Sequence, residues 1–174
     1  MKWCVFLVAK DIADDMGCFD GIGYIDNNIA ELLDGTESCG TVVALEELSC
    51  EYSNVIVAVK DTVTRSEIIK QIEETTPFRL VSLVSPQAKV SPSSQIMNGC
   101  IVEPMAIVYP GSVISSDCIL SAGSIVKLGS MCCECVNLGC NSVVAEKTIV
   151  PAGTIVDDGV VFEKSNVEVG DLFL

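Results

Sequence analysis

Residues 107–130 read IVYPGSVISSDCILSAGSIVKLGS, and every sixth residue from Val108 onward is aliphatic. The same period continues in both directions without a slip. Four residues after most of these positions comes a small residue, and glycine often precedes it, as in Gly111-Ser112. The apolar positions of the period are Val84, Val90, Ile96, Val102, Val108, Ile114, Leu120, Val126, Cys132, Leu138, Val144, Val150, Val156 and Phe162.

This phasing predicts a left-handed parallel β-helix of hexapeptide repeats. Each hexapeptide forms one face of a triangular coil, its large aliphatic side chain fills the interior, and glycine at the corner tolerates a positive φ. A β-sandwich is the alternative, but it would give a period of two with irregularly spaced turns. With about three hexapeptides in each coil, the stretch predicts roughly four coils.

Before the repeat, the pattern changes to alternating strands and helices. We predict strands at residues 3–8, 22–25, 41–44, 55–59 and 79–83, and helices at 10–16, 45–48 and 64–74. Gly17 would end the first helix, and Thr64-Arg65-Ser66-Glu67 reads as a capping box that opens the last one. The series predicts a small Rossmann-like α/β domain that is too short for a complete dinucleotide-binding domain.

The predicted organisation is therefore mainly β. A truncated Rossmann-like α/β domain occupies residues 1–83, a left-handed β-helix residues 84–163, and a C-terminal tail residues 164–174. The tail carries acidic side chains that could cover the last coil and oppose edge pairing.

Composition excludes several classes of partner. The net charge is −14, and Arg65 and Arg79 are the only arginines, which argues against nucleic acid and anionic membrane surfaces. No run of 18 apolar residues occurs, so we expect no membrane span. The ten cysteines are scattered among aliphatic positions, where reduced thiols behave as small hydrophobes. This usage predicts a cytoplasmic protein.

One group of cysteines could hold a metal ion. Cys132 and Cys135 have C-x-x-C spacing, with Cys133 between them and Cys140 beyond, and four thiolates could bind zinc. The repeat favours a structural role instead, because Cys132 falls on the inward phase and the other three fall on different phases. We therefore assign no metal site, with a metal or redox role as the alternative.

Several segments resemble the bacterial sugar O-acyltransferase family, which acetylates sialic acids and nucleotide-linked amino sugars. They are MG at residues 16–17, GYID at 23–26, VIVAV at 55–59 with Arg65 six residues on, and LVSPQAKVSP at 83–92. The resemblance covers nearly the whole chain. It implies a homotrimer, a sugar nucleotide bound to the N-terminal domain, acetyl-CoA between the β-helices, and histidine as general base.

This chain departs from the family at the positions that the family uses for nucleotide binding and catalysis. The family follows its first strand with a glycine-rich turn that meets the nucleotide, whereas this chain has FLVAK at residues 6–10. Lys60-Asp61 lacks the usual preceding glycine, and Ser85-Pro86 replaces a usual His-Pro. The position that should carry the catalytic histidine is Leu128, and the chain contains no histidine at all.

Leucine cannot take a proton from the acceptor, and loss of a general base costs roughly 10²–10⁴ in rate. Glu134 and Asp117 are the candidate substitutes, if burial raises their pKa values. No other cofactor is implied, and acetyl-CoA is expected only if the chain is active. We expect a degenerate member of the family that acts as a binding or assembly partner, either as a homotrimer or with a histidine-bearing relative in mixed trimers. The alternative is an active acetyltransferase that uses an unrecognised base or one from a partner chain.

Overall fold

A computed structural model of the chain describes residues 4–20, 22–25, 38–40 and 45–163. The described part of the N-terminal α/β region contains three helices and four short strands. These are α1 (Cys4–Met16), β1 (Tyr24–Ile25), β2 (Ser38–Gly40), α2 (Leu45–Leu48), β3 (Asn54–Val55), α3 (Thr62–Thr75) and β4 (Arg79–Leu80). None of the described helices is long and apolar enough to cross a membrane.

The remainder consists of fourteen two-residue strands that wind into a parallel β-helix. They are β5 (Leu83–Val84), β6 (Lys89–Val90), β7 (Gln95–Ile96), β8 (Ile101–Val102), β9 (Ile107–Val108), β10 (Val113–Ile114), β11 (Ile119–Leu120), β12 (Ile125–Val126), β13 (Met131–Cys132), β14 (Asn137–Leu138), β15 (Val143–Val144), β16 (Ile149–Val150), β17 (Ile155–Val156) and β18 (Val161–Phe162).

These strands form the three faces of the prism. The first sheet holds β5, β8, β11, β14 and β17, the second holds β6, β9, β12, β15 and β18, and the third holds β7, β10, β13 and β16. All pairings are parallel, and each strand pairs with the one 18 residues further on, as Ile101 with Ile119. The stretch thus makes four complete coils and part of a fifth.

Three corners connect the sheets. The first corner joins the first and second sheets at residues 85–88, 103–106, 121–124, 139–142 and 157–160. The second corner joins the second and third sheets at 91–94, 109–112, 127–130 and 145–148. The third corner returns to the first sheet at 97–100, 115–118, 133–136 and 151–154.

The hexapeptide prediction is confirmed in its interior. The side chains of the period pack together inside the prism, and those from Val102 to Val156 are at most 3% exposed. The predicted corner conformation is also confirmed, because Gly99, Gly111, Gly123, Gly129, Gly153 and Gly159 have φ values of 63–74°. Five other residues adopt positive φ at the same corner phase, among them Asp117 (64°) and Asn141 (56°).

Small polar side chains at the corners bond one coil to the next. The hydroxyls of Ser112 and Ser130 donate to the carbonyls of Lys127 and Ala145 at 2.8 and 2.6 Å. The thiol of Cys118 makes the corresponding bond to the Cys133 carbonyl at 3.1 Å. A buried cysteine therefore takes the place of a serine in the third corner.

The N-terminal region packs against the first sheet. The outward side chains Leu83, Ile101 and Ile119 are at most 2% exposed, because Ile12 and neighbouring residues of α1 cover them. A separate small core joins Ile69 and Ile72 of α3 with Leu45 and Val57. The first sheet is thus buried on both sides from β5 to β14, like the sheets of α/β proteins, while Ile155 in β17 is 50% exposed.

The strand predicted at residues 3–8 is wrong, since Cys4–Met16 is one helix. Its buried residues Ala9, Ile12 and Ala13 follow the helical spacing, with Val8 and Met16 packed against the same cluster. A short apolar run cannot by itself distinguish a strand from the first turns of a helix. Trp3 and the strand predicted at 41–44 lie outside the described residues.

Three other predicted elements have different boundaries in the structure. α3 begins at Thr62 rather than Thr64, because Asp61 is the N-cap and its carboxylate accepts the Thr64 amide at 2.8 Å. The strand predicted at 55–59 is limited to β3, which pairs in parallel with β4. The strand predicted at 79–83 is divided, since Leu83 already belongs to the β-helix. The helix stop at Gly17, with φ of 61°, is as predicted.

Candidate functional site

Leu128 lies at the second corner, in the position where the resemblance requires the catalytic base. Its side chain is 43% exposed, and that of Tyr109, one coil earlier at the same corner, is 44% exposed. Backbone hydrogen bonds hold this corner to the adjacent coils. The Gly129 amide donates to the Pro110 carbonyl at 3.2 Å, and the Lys147 amide donates to the Leu128 carbonyl at 3.0 Å. The corner is built as in any other coil, but Leu128 offers no group that can exchange a proton.

Apolar side chains flank this corner on both sheets. After Gln95, the outward column of the third sheet consists of Val113, Met131 and Ile149, and Ile149 is 38% exposed. The outward column of the second sheet is likewise aliphatic after Lys89. Its members are Ile107, Ile125, Val143 and Val161. We call these two columns, with Tyr109 and Leu128, the apolar corner surface.

Three lysines of the β-helix gather on the same side of the prism. Lys127 and Lys147 belong to the second corner, and Lys89 starts a strand of the adjoining second sheet. All three are exposed. The sequence analysis did not anticipate this grouping, because the six-residue register has to be wound into coils before the residues come together.

The two candidate substitute bases lie elsewhere. Asp117 and Glu134 belong to consecutive coils of the third corner, so the whole third sheet separates them from Leu128 in the same chain. Glu134 is exposed, whereas Asp117 is 9% exposed. Burial raises the pKa of Asp117 to about 6, the carboxylates of Glu73 and Glu134 act in the same direction, and Arg65 opposes them. A pKa near neutrality suits a general base, but neither carboxylate can act at Leu128 of its own subunit.

The sequence analysis missed a second site, where α3 meets the third corner and the first sheet. Arg65 is 1% exposed there, and its Nη1 donates to Val59 O at 2.7 Å and its Nη2 to Cys135 O at 3.0 Å. Asn137 completes the contact, since its Nδ2 donates to Lys60 O at 2.6 Å and its Oδ1 lies 3.4 Å from Arg65 Nη1. We call this contact, made by Arg65, Asn137, Cys135 and Asp117, the junction.

The electrostatics of the junction follow from its burial. Burial lowers the pKa of Arg65, while neighbouring Cys135, Cys118 and Asp117 oppose that shift. The pKa of the Cys135 thiol is raised by burial despite the nearby guanidinium. Cys135 is therefore a poor nucleophile at neutral pH, because the thiolate is the reactive form. The arrangement serves to hold the N-terminal region on the β-helix.

One sequence signal could have revealed the junction. Along the outward column of the first sheet, Asn137 is the polar residue among Leu83, Ile101, Ile119 and Ile155. An amide at an aliphatic position indicates a specific buried partner.

A cavity of about 300 Å³ lies beside the junction. Lys60, Asn137, Gly139, Ile155, Val156, Asp157 and Asp158 line it. Gly139 is required there, because an added Cβ would lie 2.6 Å from the Asp158 amide nitrogen. Nearby Glu103 is 7% exposed and accepts the Ala122 amide at 2.8 Å, and burial raises its pKa. Carboxylates outnumber the single ammonium, so the cavity suits a neutral or cationic group better than a phosphate.

The four cysteines that the sequence places close together lie in different parts of the β-helix. Cys132 is 0% exposed and faces the prism interior, as predicted, and burial raises its pKa to about 12. Cys133 and Cys135 belong to the third corner, whereas Cys140 belongs to the first. Within the described part of the chain, no three cysteine or acidic side chains are placed to share a metal ion.

Comparison with known proteins gives matches to both parts of the chain. Residues 7–72 match the PglD N-terminal domain family. No curated protein matches the sequence.

Solved structures match nearly the whole fold. The acetyltransferase domain of PglB from Neisseria gonorrhoeae, in complex with acetyl coenzyme A, is 24% identical with a TM-score of 0.82, over 92% of this chain and 86% of that one. A histidine-to-asparagine variant of perosamine N-acetyltransferase from Caulobacter crescentus, in complex with CoA and GDP-perosamine, is 22% identical with a TM-score of 0.84, over 92% and 85%. WeeI from Acinetobacter baumannii is 15% identical with a TM-score of 0.59, over 90% and 87%.

These matches confirm the resemblance predicted from the sequence and the left-handed β-helix that follows an α/β region. The chain carries a PglD-type N-terminal domain in front of a hexapeptide-repeat β-helix, which is the two-part fold of the sugar acetyltransferases to which it is similar.

Proposed function

We propose that this chain is an assembly or binding subunit with the sugar acetyltransferase fold, and that it does not transfer acetyl groups efficiently. The observation that carries the proposal is the second corner, where Leu128 stands exposed between apolar columns. A leucine here removes the general base and at the same time enlarges an apolar surface. Contiguous exposed apolar patches mark interaction sites in soluble proteins.

The partner that best fits this surface is another β-helix of the same kind. The apolar corner surface runs parallel to the prism axis over several coils, and the flat faces of a second and third prism could cover it. The proposal is therefore a homotrimer, or a mixed trimer with a histidine-bearing relative, located in the cytoplasm. The described residues of the N-terminal domain that pack on the β-helix lie on the first sheet, on the opposite side from this surface.

The competing function is active acetyl transfer, and the lysine group favours it. Lys127 and Lys147 lie at the second corner in consecutive coils, and Lys89 lies on the adjoining second sheet two coils before Lys127. Lysines there could meet the phosphates of acetyl-CoA. The base would then come from a partner chain, because Asp117 and Glu134 lie across the third sheet.

Replacing Leu128 with aspartate is expected to weaken self-association at least tenfold, because a charge would have to be buried in an apolar interface. Size-exclusion chromatography with light scattering across a concentration series measures this. Val63→Asp is the matched control, since Val63 is a 64% exposed apolar residue at the start of α3, away from the corner. A monomeric wild-type protein would overturn the homotrimer, and equal association of both variants would overturn the role of the apolar corner surface in it.

Isothermal titration of freshly reduced protein with acetyl-CoA, and separately with free coenzyme A, separates the two functions. We expect no binding heat at millimolar ligand for the homo-oligomer. Micromolar binding that is lost on combined Lys127→Ala and Lys147→Ala substitution would support the active alternative. A thioester-release assay with an amino-sugar nucleotide would then test turnover.

A further inference from the structure

The cavity of about 300 Å³ at the end of the first sheet is bounded by both parts of the molecule. Lys60, from the segment before α3, lines one side, and Ile155 and Val156 of β17 line another. The outward residues of the earlier strands of this sheet are buried, whereas Ile155 is 50% exposed. The described residues of the N-terminal region therefore leave β17, and with it the cavity, open to a ligand.

Backbone amides of successive coils hold two carboxylates at the first corner beside this cavity. Glu103 extends toward the next coil, where its Oε2 accepts the Ala122 amide at 2.8 Å. Asp158, which lines the cavity, extends in the opposite direction, and its Oδ1 accepts the Cys140 amide at 2.8 Å. These two amides occupy equivalent positions in neighbouring coils, because β11 pairs in register with β14. They are therefore about 4.8 Å apart, and the two carboxylates approach that spacing from opposite sides.

Glu103 keeps one oxygen for a further donor. Its side chain is 7% exposed, and its Oε1 has no hydrogen-bond partner among the residues that the structure describes. A buried polar atom normally has such a partner. Lys60 does not fill this role, since the ion pairs with N–O distances up to 4.0 Å between described residues include neither Lys60 nor either carboxylate. Lys60 and Asp158 are nevertheless near enough to shift the pKa of Glu103 in opposite directions.

The charges and the lining define the class of ligand. When ionised, Glu103, Asp157 and Asp158 oppose the single ammonium of Lys60, so negative charge is in excess. A metal ion does not suit the site, because no three acidic or cysteine side chains of the described chain are placed to share one. An ammonium group does suit it, since it donates up to three hydrogen bonds to separately held acceptors. The aliphatic side chains of β17 supply a surface for methylene groups.

We propose that this cavity binds a short aliphatic diamine, with one ammonium group between Glu103 and Asp158 and the other at Asp157. The methylene groups between them pack against Ile155. Gly139 keeps the site open, because an added Cβ would lie 2.5 Å from Asp158 Oδ1 and displace that carboxylate. The site adjoins the first sheet, so it does not depend on the apolar corner surface or on what covers that surface.

Isothermal titration of the full chain with 1,4-diaminobutane at about 0.15 M salt tests the proposal. We expect one site of roughly millimolar or tighter affinity, and at least tenfold weaker binding of n-butylamine, which has a single ammonium group. Tetramethylammonium should not bind, because it has no N–H to donate. Glu103→Gln and Asp158→Asn should each weaken diamine binding about tenfold, and asparagine can still accept the Cys140 amide. Lys60→Met should strengthen binding, since it removes the competing positive charge.

Glu134→Gln is the matched control, because it removes one negative charge from an exposed residue of the third corner, away from the cavity. It should leave the affinity unchanged, which separates the site from general attraction to a chain of net charge −14. The absence of diamine binding, or equal weakening by Glu134→Gln and the cavity variants, would refute the proposal. If neither Glu103→Gln nor Asp158→Asn folds, Lys60→Met decides, and an unchanged affinity in that variant would contradict the site.

Discussion

Replacing Arg65 with methionine is expected to lower the free energy of unfolding by about 3 kcal/mol. The guanidinium is 1% exposed and donates to the carbonyls of Val59 and Cys135 at 2.7 and 3.0 Å. Methionine keeps the apolar stem but leaves both carbonyls without this donor, in a place that water reaches poorly. Removing the cation also leaves the neighbouring carboxylate of Asp117 without its opposing charge. Urea unfolding measures the change.

Arg79→Met is the matched control for Arg65, because Arg79 is the other arginine of the chain and is exposed. It should change stability by no more than about 0.5 kcal/mol. Hydrogen exchange should locate the Arg65→Met effect in β3 and α3, with the central β-helix amides nearly unaffected. Equal effects of the two substitutions would show that the junction contributes little to docking.

Leu120→Ala should cost still more, about 4 kcal/mol. Leu120 is 0% exposed and lies in the first sheet midway along the prism, with Val102 and Leu138 directly below and above it. Every coil stacks on its neighbours, so a cavity here weakens contacts in three successive coils, and the stiff ladder cannot collapse around it. Thermal or urea unfolding gives the free-energy change.

Leu7→Ala provides the comparison for Leu120→Ala, since it removes the same atoms from a leucine that is 42% exposed on α1. We expect a loss below about 1 kcal/mol, because little area is buried and alanine favours the helix. A loss for Leu120→Ala that is as small as that for Leu7→Ala would mean that the coils do not stack as described.

The two parts of the molecule differ in how much of their structure can be predicted from the sequence. The β-helix depends on contacts that recur every 18 residues, and such a fixed period can be recognised in the sequence. The inward phase, the positive-φ corners and the inward Cys132 thiol were all predictable from that register. The first helix was not, because residues 4–8 are an apolar run whose strand or helix state is decided by what Ala9, Ile12 and Ala13 pack against.

The candidate functional residues also differ in whether they could be identified from the sequence. Leu128 was singled out because the family resemblance implies a histidine at its position, and the chain contains no histidine. The junction combines Arg65, Asn137 and Asp117, which lie far apart in the sequence and share no local pattern. Docking of α3 on the third corner is what brings Arg65 to Asn137 and Cys135. Burial raises the pKa of Asp117 to about 6.

The sequence by itself thus determined the coil and its corners, since both follow from a periodic, short-range rule. The tertiary structure alone decided the junction, the grouping of the three lysines and the apolar corner surface. Those features depend on distances between residues far apart in the chain, and such distances are set by packing rather than by local sequence.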